Sequence, residues 1–459
     1  MASTAPDAVA VANTSTAAEK PPDDKSKLKT FLGILTKTIG VADLASIRLS
    51  LPASLLEPTP NLEYWNYLDQ PHTFVAIGDS DDELGRMLEV LRFWFTKDLK
   101  YVKGKPCKPY NSTLGEFFRC NWDIEENQPA ISVIKTLPSS GSSIKSATSA
   151  RPSSSSKNTE NPIPGTPLRA KSKPIRVSYL TEQTSHHPPV SAFYVDCPEK
   201  GLSARGFDQI AAKFTGTSVR VTAGEHNLGI FIDVSKRNET YRLTHPCASL
   251  GGFLRGALNV TVGDACYVTC KESKIKTILH YLEEGWIGRT QNKVEGIVFR
   301  YDPENDDKIR IRDVPETDIL ARVSGNWKDK LYYSLGAKPV INILQDPSPT
   351  LLVDLGPLSV EPKLLPPASS QLPNESLKFW SGVTEAIKGR QFSRATSLKQ
   401  EIEEKQREKA RARDMDGAEW QPRFFTGALT PLGRPELTGD GREVLEKLQR
   451  GEWELAEKP

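Results

Sequence analysis

Cysteines, long apolar runs and an excess of charge of either sign are all scarce in this 459-residue chain. The cysteines are too few and too scattered for the disulfide framework of a small secreted protein, and we expect them to be reduced; they are Cys107, Cys120, Cys197, Cys247, Cys266 and Cys270. The close pair Cys266 and Cys270 has no second Cys or His pair nearby, which argues against a zinc site. No segment approaches the about 18 consecutive apolar residues of a membrane-spanning helix.

The charge balance excludes a further class of function. Sixty Lys and Arg residues against 58 Asp and Glu residues leave a formal net charge of +2, so bulk nucleic-acid binding is not expected. Any anion site must therefore be a local cluster. The first 26 residues have no basic region, and Asp7 interrupts their run of small residues, which argues against a signal or transit peptide. We expect residues 1–26 to be disordered and the protein to be cytoplasmic.

Residues 27–41 have the pattern of a short amphipathic helix. Lysines at positions 27, 29 and 37 are interleaved with apolar side chains at near-helical spacing, namely Leu28, Phe31, Leu32, Leu35 and Ile39. Two interpretations stay open at this point. The helix either docks on its own domain, or it closes a site or touches a membrane.

Two further segments differ sharply in composition. From Asp82 to Tyr101, apolar and aromatic side chains repeat on one face, which predicts a second amphipathic helix whose apolar stripe belongs to the core. Residues 137–174 consist mainly of Ser, Thr, Pro and Lys with almost no large apolar side chain. Such a segment cannot offset its ordering entropy by burial, so we expect a disordered insertion.

From about residue 175 to residue 345 the chain is rich in short β-type runs. They recur every 10–15 residues with Gly, Asp, Asn or Pro between them, and several alternate in hydrophobicity. This pattern predicts an antiparallel sheet, sandwich or barrel, and one of its predicted strands is KIRIRDV at residues 308–314. After a proline-rich passage, a helical tract is predicted over residues 376–413 and a final short helix near residues 440–450.

The densest polar cluster is EQTSHHPP, residues 182–189, between two strand-like runs. Its two prolines stiffen the segment that carries His186 and His187. Four uses of the histidines remain open. They could be metal ligands, although no third ligand is evident, or a general base, although no nucleophile signature is present. They could also donate N–H groups to an anion such as phosphate, or be satisfied within the core.

Two more clusters could recognise an anion. In KPCKPYNSTLGEFF, Lys108 and Asn111 place a charge and an amide on a proline-directed turn. In SLKQEIEEKQREK, Lys399, Glu403 and Arg407 are spaced i, i+4 and i+8, so they share one helix face. A solvated helix with ordinary ion pairs is the alternative interpretation of the second cluster.

Together these three clusters resemble the oxysterol-binding protein family of lipid-transfer proteins. EQTSHHPP is similar to the family's fingerprint, and the K-P-x-N turn with L-G-E upstream and K-x-x-x-E-x-x-x-R downstream stand in the family's order. The resemblance covers residues 28–425, interrupted by the insertion. CKPYNSTLGEFFRCNW, EQTSHHPPVSAFY and LLVDLGPLSVEPKLLPPASSQLPNES look most like the subgroup that exchanges phosphatidylserine for phosphatidylinositol 4-phosphate (PI4P).

The resemblance implies a β-dominated α+β fold. Its expected centre is a large, nearly closed antiparallel β-barrel around a lipid tunnel, with an N-terminal lid and helices and a C-terminal helical subdomain. On this chain the lid would span residues 27–60, and the N-terminal helices and first barrel segments residues 61–136. The barrel core would span residues 175–345, and the helical subdomain and tail residues 346–459.

The resemblance also implies roles for single residues. Lys108 and Asn111 would hold the inositol-side phosphate and hydroxyls, His186 and His187 with Arg407 the 4-phosphate, and Lys399 with Glu403 the rim of the same pocket. The lid would contact acyl chains through Leu28, Phe31, Leu32, Leu35, Ile39 and Leu51. One departure is that Ser112 and Thr113 follow the turn asparagine where the family usually has proline, which implies a less rigid turn and lower affinity.

The expected function is exchange of PI4P for a second lipid between membranes. Phosphatidylserine is the favoured second lipid, sterol is the alternative, and a phosphoinositide sensor that signals without net transport is a different class. We expect no enzymatic step, no cofactor and no metal. The expected partners are these lipids and, transiently, anionic membranes, for a monomer that associates peripherally with membranes, endoplasmic-reticulum contact sites among them.

Overall fold

The computed structural model describes residues 18–20, 23–44, 51–104, 108–133, 173–252, 259–282, 292–338 and 348–457. Most of residues 1–26 and all of the predicted insertion except its last two residues lie outside this part. The helices are α1 (Asp24–Leu35), α2 (Asn61–Tyr64), α3 (Pro71–Val75), α4 (Glu83–Thr96), α5 (Lys100–Lys103), α6 (Ser376–Phe379), α7 (Ser381–Lys388), α8 (Phe392–Asp416) and α9 (Gly439–Arg450). The strands are β1 (Phe117–Ile124), β2 (Ile175–His186), β3 (Pro189–Cys197), β4 (Leu202–Asp208), β5 (Ile210–Phe214), β6 (Val219–Ala223), β7 (Ile230–Val234), β8 (Glu239–Leu243), β9 (Cys247–Gly251), β10 (Asn259–Cys270), β11 (Ile275–Tyr281), β12 (Lys293–Arg300), β13 (Ile319–Asn326), β14 (Lys330–Leu335) and β15 (Thr350–Asp354).

The strands form one large antiparallel sheet. Its main path runs in the order β1-β2-β3-β4-β7-β8-β10-β11-β12-β13-β14-β15. Strands β5, β6 and β9 form a smaller ladder that joins the main sheet through residues 259–263 at the start of β10. This β-dominated architecture confirms the predicted fold class.

The two edge strands of the main sheet are β1 and β15. In the part of the chain that the structure describes, no strand ladder joins β1 to β15, so the sheet is open along this line. The segment that follows β15 lies across the opening, because Leu364 and Asn121 of β1 exchange backbone hydrogen bonds of 2.8 and 3.0 Å. Single bridges therefore take the place of a closing ladder.

Helix α4 and the inward face of the sheet share one apolar core. Alternate residues of the strands point into it, as Phe118, Cys120 and Trp122 of β1 do, and they pack with buried side chains of α3 and α4. Asp82 caps the first turn of α4 by accepting from two backbone N–H groups, at 2.8 and 3.1 Å. The predicted helix over residues 82–101 is thus observed as α4 followed by the short α5.

The C-terminal segment covers part of the outer face. Side chains of β1 to β4 that point away from the main core, Phe117 and Leu180 among them, pack against Phe424, Leu445 and Leu448. This contact fixes α9 and the preceding tail on the strands that carry the histidine segment.

Helix α1, the start of the predicted lid, packs on the smaller ladder. Leu35 is 1% exposed and lies in a cluster with Phe214 and Val219, and Leu28, Phe31 and Leu32 are half-buried against the same cluster. Leu51, further along the predicted lid, is buried in a separate cluster with side chains of α7. Five of the six predicted lid residues therefore have their apolar side chains packed inward.

Ile39 differs from the expectation, because its side chain is 66% exposed. The α-helix ends at Leu35, a 3-10 turn follows over Thr36–Thr38, and Gly40 takes a φ of +91°. The predicted helical spacing does not continue through this turn, so Ile39 points away from the face that Leu35 buries.

One other prediction of local structure is wrong. Residues 308–314 do not form a strand but an irregular loop with a 3-10 turn at Ile311–Asp313. Lys276 holds this loop by an ion pair to Asp306 and a 2.8 Å hydrogen bond to the Lys308 carbonyl. Residues 182–186, predicted to be a stiffened segment between two strand-like runs, form the end of β2 itself.

Candidate functional site

The turn that carries Lys108 and Asn111 places the two side chains in contact. Lys108 Nζ donates to Asn111 Oδ1 at 2.5 Å and to the Pro109 carbonyl at 3.1 Å. Both residues are exposed, so the turn presents this pair of side chains at the surface.

His186 and His187 lie at the tip of the hairpin formed by β2 and β3. His186 is opposite Pro189 in the register, and both imidazoles are exposed, with ring centroids 4.7 Å apart and ring planes at 64°. Exposure at a hairpin tip excludes the interpretation that these histidines are core residues. The hairpin holds the two rings side by side at the surface.

Gln183 joins the turn to the hairpin. Its Oε1 accepts from Ser112 Oγ at 2.5 Å and from Ser191 Oγ at 2.8 Å, and its Nε2 donates to the Ser185 carbonyl at 2.6 Å. Backbone bonds with Gly115 and Glu116 add to this connection. Ser112 thus donates a hydrogen bond that a proline could not, which offsets the loss of rigidity expected at this turn.

Glu116 joins the same turn to α6 and α7. Its carboxylate accepts from the Thr113 N–H at 2.9 Å, from Ser376 Oγ at 2.6 Å and from Trp380 Nε1 at 3.0 Å. Burial raises the pKa of Glu116 to about 7, although these donors act in the opposite direction. In the sequence this residue stands out only as part of the L-G-E match, and no local pattern marks it as a connector.

Glu182 likewise connects the hairpin to another part of the fold. Its two oxygens accept from the backbone N–H groups of Arg423 at 2.8 Å and Phe424 at 2.9 Å, which ties β2 to the C-terminal segment. Burial raises the pKa of Glu182 to about 7 as well. Two buried carboxylates therefore hold the turn and the hairpin in place.

Gly115 occupies a position that requires glycine. Its φ is +77°, and a Cβ at this position would lie 2.6 Å from the ring of Trp420. We expect Gly115→Ala to lower the free energy of unfolding by about 1–2 kcal/mol for the left-handed conformation, with a further loss from the displaced ring. Gly336→Ala is the matched control, because Gly336 has a φ of +76° and no described atom lies within 4 Å of the place that its Cβ would take. Chemical denaturation of both variants measures the difference, and equal losses would contradict the contact with Trp420.

The third cluster lies on α8 as the spacing predicts. The ammonium of Lys399, a residue 6% exposed, is 2.7 Å from Glu403 Oε1, and Arg407 is 3.6 Å from Glu403 Oε2. Glu403 therefore lies between the two cations and orients both. Arg407 also has a shorter contact that was not predicted, 2.6 Å from its Nη1 to Glu404 Oε2.

Helix α7 connects the turn to α8 by side-chain packing. Tyr110, in the turn segment, packs its ring on Trp380 at a centroid distance of 5.0 Å and lies 3.1 Å from Thr384 Oγ1 of α7. The cluster around Tyr110 continues through Val383 and Ala386 of α7 to Ala395 of α8. The turn is thus bonded to the histidine hairpin on one side and packed on the α7–α8 pair on the other.

The segments on both sides of α1 are attached to the start of α8. Before α1, Glu19 accepts from the Ser393 N–H at 2.9 Å and donates its own N–H to the Arg390 carbonyl at 2.9 Å. After α1, the Ala53 N–H donates to Thr396 Oγ1 at 3.4 Å. The predicted lid segment is therefore connected to the first turn of the helix that carries Lys399 and Arg407.

The described residues contain no group of three or more His, Cys, Asp or Glu side chains placed to hold a metal ion. Among the helices in this part of the chain, none is long and apolar enough to cross a membrane. The predicted site residues offer hydrogen bonds and positive charges from Lys, Arg, His and Asn side chains.

Known proteins are similar to this chain over most of its length. The family model "Oxysterol-binding protein" matches residues 30–380. Oxysterol-binding protein-like protein 1 of Schizosaccharomyces pombe is 41% identical over 481 residues, which cover 92% of this chain and 91% of that protein. Oxysterol-binding protein-related protein 11 of Homo sapiens is 28% identical over 384 residues, and the match covers 82% of this chain but 45% of the human protein, so the chain spans about half the length of that relative.

Solved structures share the fold. The Osh1 ORD domain in complex with cholesterol superposes with a TM-score of 0.62 at 16% identity, covering 97% of this chain and 94% of that one. The Osh3 ORD in complex with PI(4)P from Saccharomyces cerevisiae superposes with a TM-score of 0.58 at 16% identity, covering 95% of each chain. At such identities the likeness describes the fold alone.

Proposed function

We propose that this chain, which belongs to the oxysterol-binding protein family, extracts PI4P from one membrane and exchanges it for a second lipid, with phosphatidylserine favoured. The observation that carries the proposal is the connection of the turn to two other elements beside the predicted lid. The turn with Lys108 and Asn111 is bonded to the histidine hairpin, and it is packed through α7 on the start of α8, the helix that also carries Lys399 and Arg407.

Each cluster suits a part of a phosphorylated inositol. Lys108 and Asn111 offer an ammonium and an amide to phosphate oxygens and ring hydroxyls. The exposed imidazoles of His186 and His187 donate N–H groups, and a bound phosphate favours their protonated forms. Arg407 supplies a bidentate fork for the 4-phosphate, oriented from one side by Glu403.

A carrier must also shield the acyl chains. Exposing them costs about 0.8 kcal/mol per methylene, on the order of 20 kcal/mol for two long chains, so extraction requires an apolar enclosure. The sheet with its inward apolar face and the apolar side of α1 could provide this enclosure as a tunnel under a lid. In transit the lid would cover the chains, and it would open at a membrane.

Polar side chains on the inward face of the sheet are candidates for the lining of such a tunnel. Asp208 is opposite Ser191 in the register and so shares the inward face with Phe193, and His245 stacks on Tyr67, whose hydroxyl donates to Asp208 at 2.5 Å. Desolvation raises the pKa of Asp208 to about 7 and lowers the pKa of His245 to about 3. Both groups therefore favour their neutral forms, as polar side chains shielded from water do.

Exchange follows if both lipids use one tunnel. Binding is then mutually exclusive, and a PI4P gradient maintained elsewhere drives the other lipid against its own gradient without any covalent step. Sterol is the alternative second lipid, because acyl-chain and sterol sites are both apolar. A cytoplasmic protein that associates peripherally with membranes fits this function, and contact sites of the endoplasmic reticulum are a suitable place for it.

The test is mass spectrometry of lipids that co-purify with the wild type and with His186→Ala/His187→Ala. We expect the double variant to lose PI4P and to keep the second lipid, whose identity the same spectra report. Asn305→Ala, in the loop between β12 and β13, serves as a control for purification and handling. An unchanged lipid profile in the double variant would contradict the function assigned to the histidines.

A transfer assay separates exchange from a sensor. Purified protein is expected to move labelled lipid between liposomes, and PI4P in the acceptor liposomes is expected to accelerate the movement. A sensor would bind lipid without net transfer, and an enzyme would yield a new product.

A further inference from the structure

Helix α1 and the turn that follows it carry four lysines. Lys25, Lys29 and Lys37 are exposed and Lys27 is half-buried, and none of the four has an ion pair to a side chain that the structure describes. Two aspartates, at positions 23 and 24, precede these lysines, and no Asp or Glu occurs between Lys25 and Asp43. Residues 25–42, hereafter the lid's basic face, therefore carry four positive charges and no negative charge in a chain whose net charge is close to zero.

Ile39 adds an apolar side chain at the end of this face. It is 66% exposed between neighbours that are fixed, because Thr38 is 5% exposed and donates its hydroxyl to the Leu35 carbonyl at 2.7 Å. Beyond it, the Val41 N–H bonds to the Thr38 carbonyl at 3.1 Å and Asp43 accepts from the Ala212 N–H at 2.8 Å. The turn is thus anchored on both sides and holds Ile39 outward.

A second exposed apolar residue belongs to the strand on which this turn is anchored. Ile210 begins β5 and is 44% exposed, and Ala212 of the same strand holds Asp43. An ordered apolar residue next to unpaired lysines is the composition of a surface that enters the interface of an anionic bilayer. A protein partner would need a larger contiguous apolar area than isolated isoleucines provide.

We propose that Ile39 and the lid's basic face form the docking point of this protein on anionic membranes. Ile39 enters the boundary between head groups and acyl chains, while the four lysines lie at the level of the lipid phosphates. The lid then meets the bilayer with its outer side while its inner side still covers the smaller ladder, so docking precedes opening. This inference rests on the proposed lipid exchange and assigns the membrane contact to specific residues.

Vesicle flotation tests the docking point directly. Vesicles of phosphatidylcholine, with and without phosphatidylserine, are mixed with the wild type, with Ile39→Ser and with Lys25→Gln/Lys29→Gln/Lys37→Gln. We expect Ile39→Ser to lower partitioning onto phosphatidylserine vesicles by about 10-fold. We expect the triple lysine variant to lose the difference between the two kinds of vesicle.

Ile309→Ser is the matched control. Ile309 is 53% exposed and flanked by basic residues, but Lys308 and Arg310 are paired with Asp307 and Asp313. Its loop contacts the start of β11, at the end of β10 away from the smaller ladder that α1 covers. Ile309→Ser is expected to partition as the wild type does. Equal partitioning of Ile39→Ser and wild type, or an equal loss in Ile309→Ser, overturns the proposal.

Soluble short-chain PI4P separates this inference from the proposed function. All variants are expected to bind it as the wild type does, because the head-group residues are unchanged. If the wild type itself does not bind short-chain PI4P, the proposed function fails, while the partitioning of Ile39→Ser still decides the docking point.

Discussion

Glu182→Gln is expected to lower the free energy of unfolding by about 2–3 kcal/mol, whereas Glu116→Gln is expected to change it by less than about 1 kcal/mol at pH 7. Both glutamates are buried and both connect the site to the rest of the fold. They differ in the hydrogen-bond donors that contact their carboxylate oxygens. Each oxygen of Glu182 accepts from a backbone N–H, so the NH₂ group of a glutamine faces one donor and leaves it without a partner.

A glutamine is tolerated at position 116 because one of the donors to Glu116 is a hydroxyl, which can also accept a hydrogen bond. Ser376 Oγ bonds to one carboxylate oxygen, and a hydroxyl that rotates can accept from an NH₂ group. The other oxygen still accepts from Thr113 and Trp380. The same exchange of roles accommodates the protonated acid, in agreement with a pKa raised to about 7.

The raised pKa of Glu116 makes the free energy of unfolding depend on pH, with stability lost as the pH rises. Because the folded state holds the proton of Glu116 more tightly than the unfolded state, its contribution to stability is complete below the ordinary pKa near 4.5 and is lost as pH rises through about 7. Glu116→Gln does not titrate. The stability of the wild type relative to this variant should therefore fall between pH 5 and pH 8, by about 2–3 kcal/mol.

Urea denaturation of the wild type and the two variants at pH 5, pH 7 and pH 8 provides the measurement. If Glu182→Gln and Glu116→Gln lose equal stability at pH 7, the assignment of donors is wrong. If the relative stability of wild type and Glu116→Gln is flat with pH, the carboxyl group does not take up its proton in this range.

Parts of this site could be predicted because they depend on local spacing. Residues four apart on a helix face each other wherever the helix lies, so Lys399, Glu403 and Arg407 could be grouped before their neighbours were known. The contact of Arg407 with Glu404 follows from the same geometry at i−3, although it was not predicted. The amphipathic patterns of α1 and α4 were equally local.

Other parts depend on which segments become neighbours. Gln183 and Glu182 connect elements separated by 71 and more than 240 residues, and nothing in the local pattern shows which donors they meet. Residues 308–314 alternate as a strand does, but the ion pair with Lys276 fixes them as a loop. Ile39 was assigned inward by extending a helical period past the residue where the helix ends.

Arg407→Ala is expected to weaken binding of short-chain PI4P by about 10–100-fold, because a charge-assisted bond to phosphate contributes about 1.5–3 kcal/mol. Lys399→Ala/Arg407→Ala should lose about 1000-fold. Arg411→Ala is the matched control: Arg411 lies one turn further along α8 and shares Glu404 with Arg407, at 3.0 Å, but is not assigned to the phosphate. It is expected to change affinity by less than about 2-fold.

Glu404 provides a second test of the function predicted for Arg407. Its carboxylate holds Arg407 at 2.6 Å, and the bonds from Arg407 and Arg411 lower the pKa of Glu404, so it stays ionised and competes with a lipid phosphate for the guanidinium. Glu404→Gln is therefore expected to tighten PI4P binding by about 2–5-fold. Glu403→Gln is expected to weaken it, because Glu403 lies between Lys399 and Arg407 and its loss removes the contact that orients both cations. Titration calorimetry with short-chain PI4P measures all of these variants. Equal losses in Arg407→Ala and Arg411→Ala would mean that the helix contributes a diffuse positive field and not a defined fork for the 4-phosphate.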